Sequence, residues 1–558
     1  MVALAKGFVD VPHGQVHYRR GGRGPVVVML HDSPRSSVLH VSNIEWLGEH
    51  FTVIALDTPG YGNSTPLPPA APEIADFAAA LATTLDALGI ECCALYGFHT
   101  GAKIALQFAA DHPGRVPLTI LDGLALSAQA PSPEFLQQYL RSFEPVSDGS
   151  HLVGLWSKVL DFHRWFPWFA RSAATRLALA LPDDLDLHEY ATDLLMAGRH
   201  WTSAYGAAFR HLAAPNIARL QSRAVFMARE DDVLYGCLDE LPRPLPAACS
   251  VERIPPQTSA WRTRLLELLR QAGLPRTGWQ PPRAATAPDG REERHSYVDL
   301  VHGQVRLRRR GRGAVPLLLL HEVPGGACSL SPLADELARD RLTLAPDLPG
   351  LGESHPLPYP SLGSYVTALT ELLEELDCGG VDVYAEGLGT CFAVALAAHH
   401  PQLVRRLALD GLPMVRSRDR RRYARHYCPP LEPDRHGTHL LRLWHQMRDA
   451  EASWPWFDRS AEAARRHDPD LDPERMQASL VEIVKHLPSY GDAARAALEA
   501  SVRDIVKGVR QPVLLLDCPG DVRYAGTRRA ARYLAQARTQ PRPAAVAARA
   551  AVLREFFA

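Results

Sequence analysis

The sequence predicts an α/β protein made of two tandem domains, each a mostly parallel sheet with helices on both faces and a helical lid inserted late in the sheet. Length, an internal repeat and the alternation of elements predict it. At 558 residues the chain exceeds the roughly 250–300 residues at which one hydrophobic core stops growing, so two cores are expected. The repeat supplies them: HGQVHYRRGGRG from His13 returns as HGQVRLRRRGRG from His302, LDTPGYGNS around Asp57 returns as PDLPGLGES around Asp347, and the tryptophan-bearing segment from Gly149 returns from Gly437, all at an offset of 288–290. A repeated unit of that size is a whole domain.

Within each copy a short apolar run (VVVML before His31, LLLL before His321) is followed by a loop, a second run (FTVIALD, LTLAPD) and an amphipathic pattern such as IADFAAALATTLDALGI. Short β runs alternating with helices indicate a parallel sheet covered on both faces. The first domain is expected over 1–272 with its lid at about 125–215, and the second over 297–558 with its lid at about 413–500. Between them, 273–296 is rich in proline and charge without an apolar period, which reads as a linker. The arginine-rich stretch from Val415 reads as a solvated helix face.

Composition narrows the function classes. With 46% hydrophobic residues, 22% charged residues and a net charge of −1, there is no electrostatic footprint for nucleic acid or an anionic membrane. No apolar run reaches the roughly 18–20 residues of a membrane span, and the start MVALAKGFVDVPHGQ lacks a long apolar stretch, so a cytoplasmic protein is expected. The nine cysteines, an odd number without metal-ligand spacing, read as reduced, mostly buried thiols. Neither a metal nor a cofactor is expected.

The combination of LH-x-x-P, D-x-P-G-x-G-x-S, a glycine-flanked strand-to-helix turn and a late helical insertion resembles the α/β-hydrolase fold family, twice over. That resemblance implies a nucleophile elbow, G-x-Nuc-x-G, whose central side chain projects from a sharp turn. The first copy reads Gly97-Phe98-His99-Thr100-Gly101 and the second Ala385-Glu386-Gly387-Leu388-Gly389. Histidine and glycine therefore stand where the family carries serine, cysteine or aspartate. The terminal segments, where the family's catalytic histidine follows the last strand, contain none. His31-Asp32 and His321-Glu322 put a carboxylate where the family commonly has glycine beside its oxyanion-binding amide, and a carboxylate there opposes acyl transfer. Asp122, Asp232, Asp410 and Asp521 fall where the family's acid can sit; with no histidine in the terminal segments to orient, they read as capping or loop residues.

His99, Asp32 and His151 are the candidate catalytic residues of the first copy, with Ser33, Arg35, Phe98, Thr100, Asp148 and Trp156 as candidate substrate contacts. Arg35 reads equally as a partner of Asp32, Asp148 as a helix N-cap, and Trp156 as lid core. Glu322, Glu386, Gly387 and His439 mark a degenerate second site. A helix start and burial under a tryptophan-rich lid both favour a neutral His99 imidazole; Asp32, should it reach across, opposes them. These residues favour non-hydrolytic acid–base chemistry of lyase, isomerase or cyclase type on a small, largely apolar substrate. The second domain is expected to be inactive and kept as an intramolecular pseudo-dimer partner. Two readings remain beside this one: a hydrolase of unusual mechanism using His99, and a catalytically dead binding or scaffold protein.

Overall fold

The structure, a computed structural model, describes residues 2–275, 278–282 and 292–558. It divides into two compact units, Met1–Glu144 with Gly154–Ala284, and Ala285–Ala558 with the short segment Pro145–Val153.

In unit 1 the apolar runs become strands: β1 (Ala5–Val11), β2 (Gly14–Gly21), β3 (Val26–Leu30), β4 (Thr52–Leu56), β5 (Ala94–Phe98), β6 (Leu118–Asp122), β7 (Arg223–Arg229) and β8 (Cys249–Ile254). They form one eight-stranded sheet in the order β1-β2-β4-β3-β5-β6-β7-β8. Only the pairings of β2 with β1 and β4 are antiparallel. All residues of β3, β4 and β6 are buried, as expected of parallel strands covered on both faces. Chain order reverses about β3, with β4 on one side and β5 on the other, so the loops after β3 and β5 open a crevice at the carboxyl end of the sheet. Asp32 leaves β3 and His99 leaves β5 at that crevice.

Unit 2 repeats the plan with β9 (Arg294–Leu300), β10 (Gly303–Arg310), β11 (Leu317–Leu320), β12 (Thr343–Pro346), β13 (Val381–Glu386), β14 (Val404–Asp410), β15 (Val513–Asp517) and β16 (Ala537–Pro541), in the order β9-β10-β12-β11-β13-β14-β15-β16. Of the expected linker, residues 276, 277 and 283–291 lie outside the described residues. Trp279 in that segment belongs to unit 1, its indole donating to Leu88 O at 2.7 Å, and β9 opens at Arg294, inside the stretch read as linker.

Five α-helices separate β6 from β7, from Pro133–Tyr139 to Ala214–Ala218, and five separate β14 from β15, from Ser417–His426 to Val502–Ile505. The arginine-rich helix Ser417–His426 buries Ala424 alone. The D-x-P-G-x-G-x-S loops are structural. Asp57 accepts from Ser37 N (2.7 Å), Asn63 N (2.9 Å) and the His17 ring (2.8 Å), and Ser64 Oγ donates to Asp57 O. His31 and His321 staple the following loops. Each sets Nδ1 2.7 Å from the carbonyl of Asp32 or Glu322, while Nε2 accepts from Thr58 N or Leu348 N. Among the described residues no helix is long and apolar enough to cross a membrane.

Candidate active site

His99 is the turn between β5 and the helix Thr100–Asp111, with φ 48° and ψ −105°. A side-chain-bearing residue in the left-handed region costs of order 1–3 kcal/mol and persists only where its surroundings demand it. The flanking glycines are required by close backbone approach: a Cβ on Gly97 would lie 2.3 Å from Gly101 O, and one on Gly101 would lie 2.4 Å from Leu30 O. His99 N donates to Asp122 O at 3.0 Å, holding the turn against β6.

The imidazole has a partner that sequence reasoning missed. Nε2 lies 2.9 Å from Asp232 Oδ2 and 3.1 Å from Oδ1, in the loop just after β7. Leu234 N donates to Asp232 Oδ1 at 2.7 Å, fixing the carboxylate. Asp232 does cap its turn, as expected, but it also engages the one histidine at the elbow. Phe98 stacks on the imidazole at 4.0 Å between centroids. Nδ1 has no partner among the described residues, so the Asp232 bond leaves it as the chemically available nitrogen.

This pairing reverses the expected charge preference. Burial by itself lowers the His99 pKa, but the Asp232 carboxylate, with Asp32 and Asp122 behind it, lifts it above the ordinary value. Burial pulls Asp232 upward, yet His99 and the Leu234 amide hold it below the usual carboxylate range. The lowered His99 pKa expected from the helix start and the lid is therefore corrected to a raised one. Asp32 behaves in the opposite way to Asp232. Burial pushes its carboxyl up against the pull of Arg35, His99 and His31, and its Oδ1 is buried without a hydrogen-bond partner. Two carboxyl groups around one imidazole thus have their pKa values driven apart.

The other expected residues are distributed differently. The Arg35 side chain forms its ion pair with Asp193: its Nε donates to Asp193 Oδ2 at 2.8 Å and its guanidinium lies 5.4 Å from the Tyr190 ring centroid, tying the β3 loop to the lid helix Asp184–Ala197. Ser33 is buried, and the Tyr61 hydroxyl donates to Trp201 O at 2.7 Å. Thr100 is buried at the helix start, where its N–H has no partner within the helix. Trp156 is buried in the lid. Asp148 is exposed and accepts from Ser150 N at 2.9 Å, as a cap does. His151 falls in the segment that belongs to unit 2, its ring 4.8 Å from that of Trp444. Aromatic side chains fill the lid, with Tyr139 and Tyr205 joined through their hydroxyls at 2.9 Å and Lys158 over Trp168 and Trp201. A cavity of about 360 Å³ beside the dyad is lined by Phe98, Asp122, Asp232 and Trp261. Among the described residues no group of three or more His, Cys, Asp or Glu could hold a metal ion.

In unit 2, Gly387 N donates to Asp410 O at 2.8 Å, so Gly387 occupies the place of His99. Glu322 fills the space that glycine leaves. Its Oε1 accepts from Val323 N at 2.9 Å and Leu388 N at 2.8 Å, the two amides that would bind an oxyanion in a working elbow, and Oε2 accepts from Arg523. His439 is buried in the lid, 3.6 Å from Asp434, with its pKa lowered by burial. Glu386 ends β13 beside the elbow and lines a cavity of about 490 Å³.

The family described as alpha/beta hydrolase fold matches residues 25–182 and 315–429. A dihydrolipoyllysine-residue acetyltransferase component of the acetoin cleaving system of Cupriavidus necator is 36% identical over 115 residues, 20% of this chain and 30% of that protein. A pimeloyl-[acyl-carrier protein] methyl ester esterase of Aeromonas hydrophila is 26% identical over 209 residues, 34% of this chain and 80% of that protein. Among solved structures, the enol-lactonase from Burkholderia xenovorans LB400 aligns with 47% of this chain and all of its own at 17% identity and a TM-score of 0.37.

Proposed function

Because this chain belongs to the α/β-hydrolase fold family, with the fold present twice, we propose that unit 1 uses the family's crevice for acid–base chemistry at His99 and that unit 2 performs no acyl transfer. The observation that carries this reading is the 2.9 Å contact between His99 Nε2 and Asp232 at a strained elbow. In the usual triad a histidine from the terminal loop bridges acid and nucleophile. Here the histidine stands on the elbow itself and meets the acid directly, so base and orienting carboxylate remain while the hydroxyl or thiol is gone.

The chemistry follows from the separated carboxyl pKa values. Asp232, held below the usual carboxylate range, fixes the imidazole; in this reading Asp32, whose carboxyl burial pushes up, acts as a hydrogen-bond donor. Neutral Nδ1 takes a proton from carbon next to a carbonyl, the C–H electron pair moves toward the carbonyl oxygen, and Asp32 with the Thr100 N–H steadies the charge that develops there. Return of the proton to another carbon, or loss of a leaving group, gives an isomerase or lyase outcome. The aromatic lid favours a small, largely apolar substrate. Unit 2 is excluded from acyl transfer because Glu322 already occupies the amides an oxyanion would need.

A fluorophosphonate probe should leave the full chain unlabelled, and a panel of β-hydroxy ketones, enones and enol lactones should contain a compound whose conversion by wild type is lost in His99→Gln. Labelling of a serine, or conversion retained in the variant, contradicts the proposal. The elbow position of His99, with the Thr100 N–H adjacent, favours one second reading: a hydrolase using His99 as nucleophile. Quenching with an activated ester and measuring intact mass separates the two, since an acyl adduct on His99 forms only in the second.

The pairing has its own readout. By proton NMR, His99 should titrate above the ordinary histidine value of about 6.5, and Asp232→Asn should bring it down. A step that needs neutral Nδ1 then speeds up as pH rises through the elevated pKa, and in Asp232→Asn the onset moves to lower pH. A His99 pKa below the ordinary value in the wild type would contradict the ion pair.

A further inference from the structure

The cavity of unit 2 lies between the elbow end of its sheet and the lid helices Thr438–Ala452 and Pro473–Val484. A pocket that has lost its use tends to fill with apolar side chains, because buried charge costs several kcal/mol per ion unless answered. This one has moved the other way. At matching repeat positions Phe98, Leu234 and Trp261 of unit 1 become Glu386, Arg523 and Arg549. The correspondence is geometric as well: Leu234 N and Arg523 N donate alike to Asp232 and Asp521, and where the Trp261 indole donates to Asp122, the Arg549 guanidinium reaches Asp410.

At the floor two guanidinium groups gather on one carboxylate. Asp410 is shared by Arg542, at 2.7 and 3.0 Å from its oxygens, and Arg549, at 3.4 Å, while Arg523 is matched by Glu322 alone. Nearer the lid, Arg465 is shared by Asp521 and Glu451, Arg475 pairs with Asp470, and Asp468 lines the same wall. The floor thus places Arg523, Arg542 and Arg549 beside Glu322, Asp410 and Glu386. Donors there also go unused. Arg549 is 8% exposed and its Nε has no hydrogen-bond partner, nor has Arg523 Nε; the terminal nitrogens of Arg542 have none among the described residues. Glu386 accepts no hydrogen bond from them, and burial together with Asp410 pushes its carboxyl up. Trp454, Tyr427 and Met447 supply an apolar side to the same cavity.

We propose that this cavity binds a small organic carboxylate with an aromatic or short aliphatic body, its carboxylate received by Arg542 and Arg549 and its body packed against Trp454 and Tyr427. Planar guanidinium groups with unused N–H donors suit the fork of a carboxylate, and with Glu322 closing the elbow amides the site binds without turning its ligand over.

Isothermal titration of the full chain with phenylacetate, phenylacetamide and phenyl phosphate tests this. Phenylacetate should bind at least tenfold more tightly than either analogue. Arg542→Gln should weaken it at least tenfold, Arg542→Lys should recover part of the loss, and His99→Gln, which alters only unit 1, should leave it unchanged. Equal binding of acid and amide, tighter binding of the phosphate, no binding of phenylacetate at concentrations of about 5 mM, or a loss in His99→Gln with retention in Arg542→Gln would each overturn the proposal. Should circular dichroism show Arg542→Gln misfolded, the acid-against-amide comparison on wild type decides alone.

Discussion

Replacing His99 by glutamine is expected to lower kcat by about 10²–10⁴-fold, the usual contribution of a positioned acid or base, while leaving the far-ultraviolet circular dichroism unchanged. Glutamine can still donate to Asp232, so the variant removes the titrating nitrogen and keeps the loop tie; His99→Ala removes both and should be no more active. Asp32 adds a sharper discrimination. If its carboxyl works as a neutral hydrogen-bond donor, Asp32→Asn preserves a donor at the same reach and should lose less than Asp32→Ala, by about tenfold, equivalent to roughly 1.4 kcal/mol for one hydrogen bond. If Asp32 instead works ionised, the asparagine variant should be as impaired as the alanine one. Rates in His99→Gln within a few-fold of wild type would remove the imidazole from the mechanism and leave a binding protein as the better description.

Legibility in the sequence follows the range of the interactions. The sheet was readable because buried parallel strands need continuous apolar runs, and VVVML and TVIAL are such runs; the duplication was readable because 288–290 residues separate the same punctuation. The elbow could be read for a local reason: a turn at φ 48° needs small neighbours, and Gly97 and Gly101 announce it. Partners distant in sequence were not legible. Arg35 meets Asp193 across 158 residues, and no periodicity reports that contact. Asp232 was within reach of inference and was lost to a wrong premise. With no histidine in the terminal segment, the aspartate after β7 was read as having nothing to orient, although the missing histidine was already at the elbow. The arginines of the unit 2 cavity carried a weaker signal, visible only when the copies are aligned and Leu234 and Trp261 are seen to become Arg523 and Arg549.

Gly387 and Glu322 form the other informative pair, because each is explained by the other. A Cβ on Gly387 would lie 1.7 Å from Glu322 Oε2, and the glycine sits at φ 53°, so Gly387→Ala must both enter the left-handed region and expel the carboxylate. The left-handed backbone costs roughly 1–2 kcal/mol. Expelling Glu322 strips Val323 N and Leu388 N of their acceptor and Arg523 of its counter-charge, and breaking a half-buried ion pair on one side costs up to about 3–5 kcal/mol. The single variant is therefore expected to lose about 3 kcal/mol or more in urea unfolding of the full chain. Glu322→Ala should also destabilise, through Arg523. In the Glu322→Ala background, however, Gly387→Ala meets no carboxylate and should add only the backbone cost, so the double-mutant cycle should show a coupling above about 1.5 kcal/mol. Additive losses would mean that the carboxylate moves aside freely, and the closed elbow of unit 2 would then be a loose contact instead of a fixed feature of its fold.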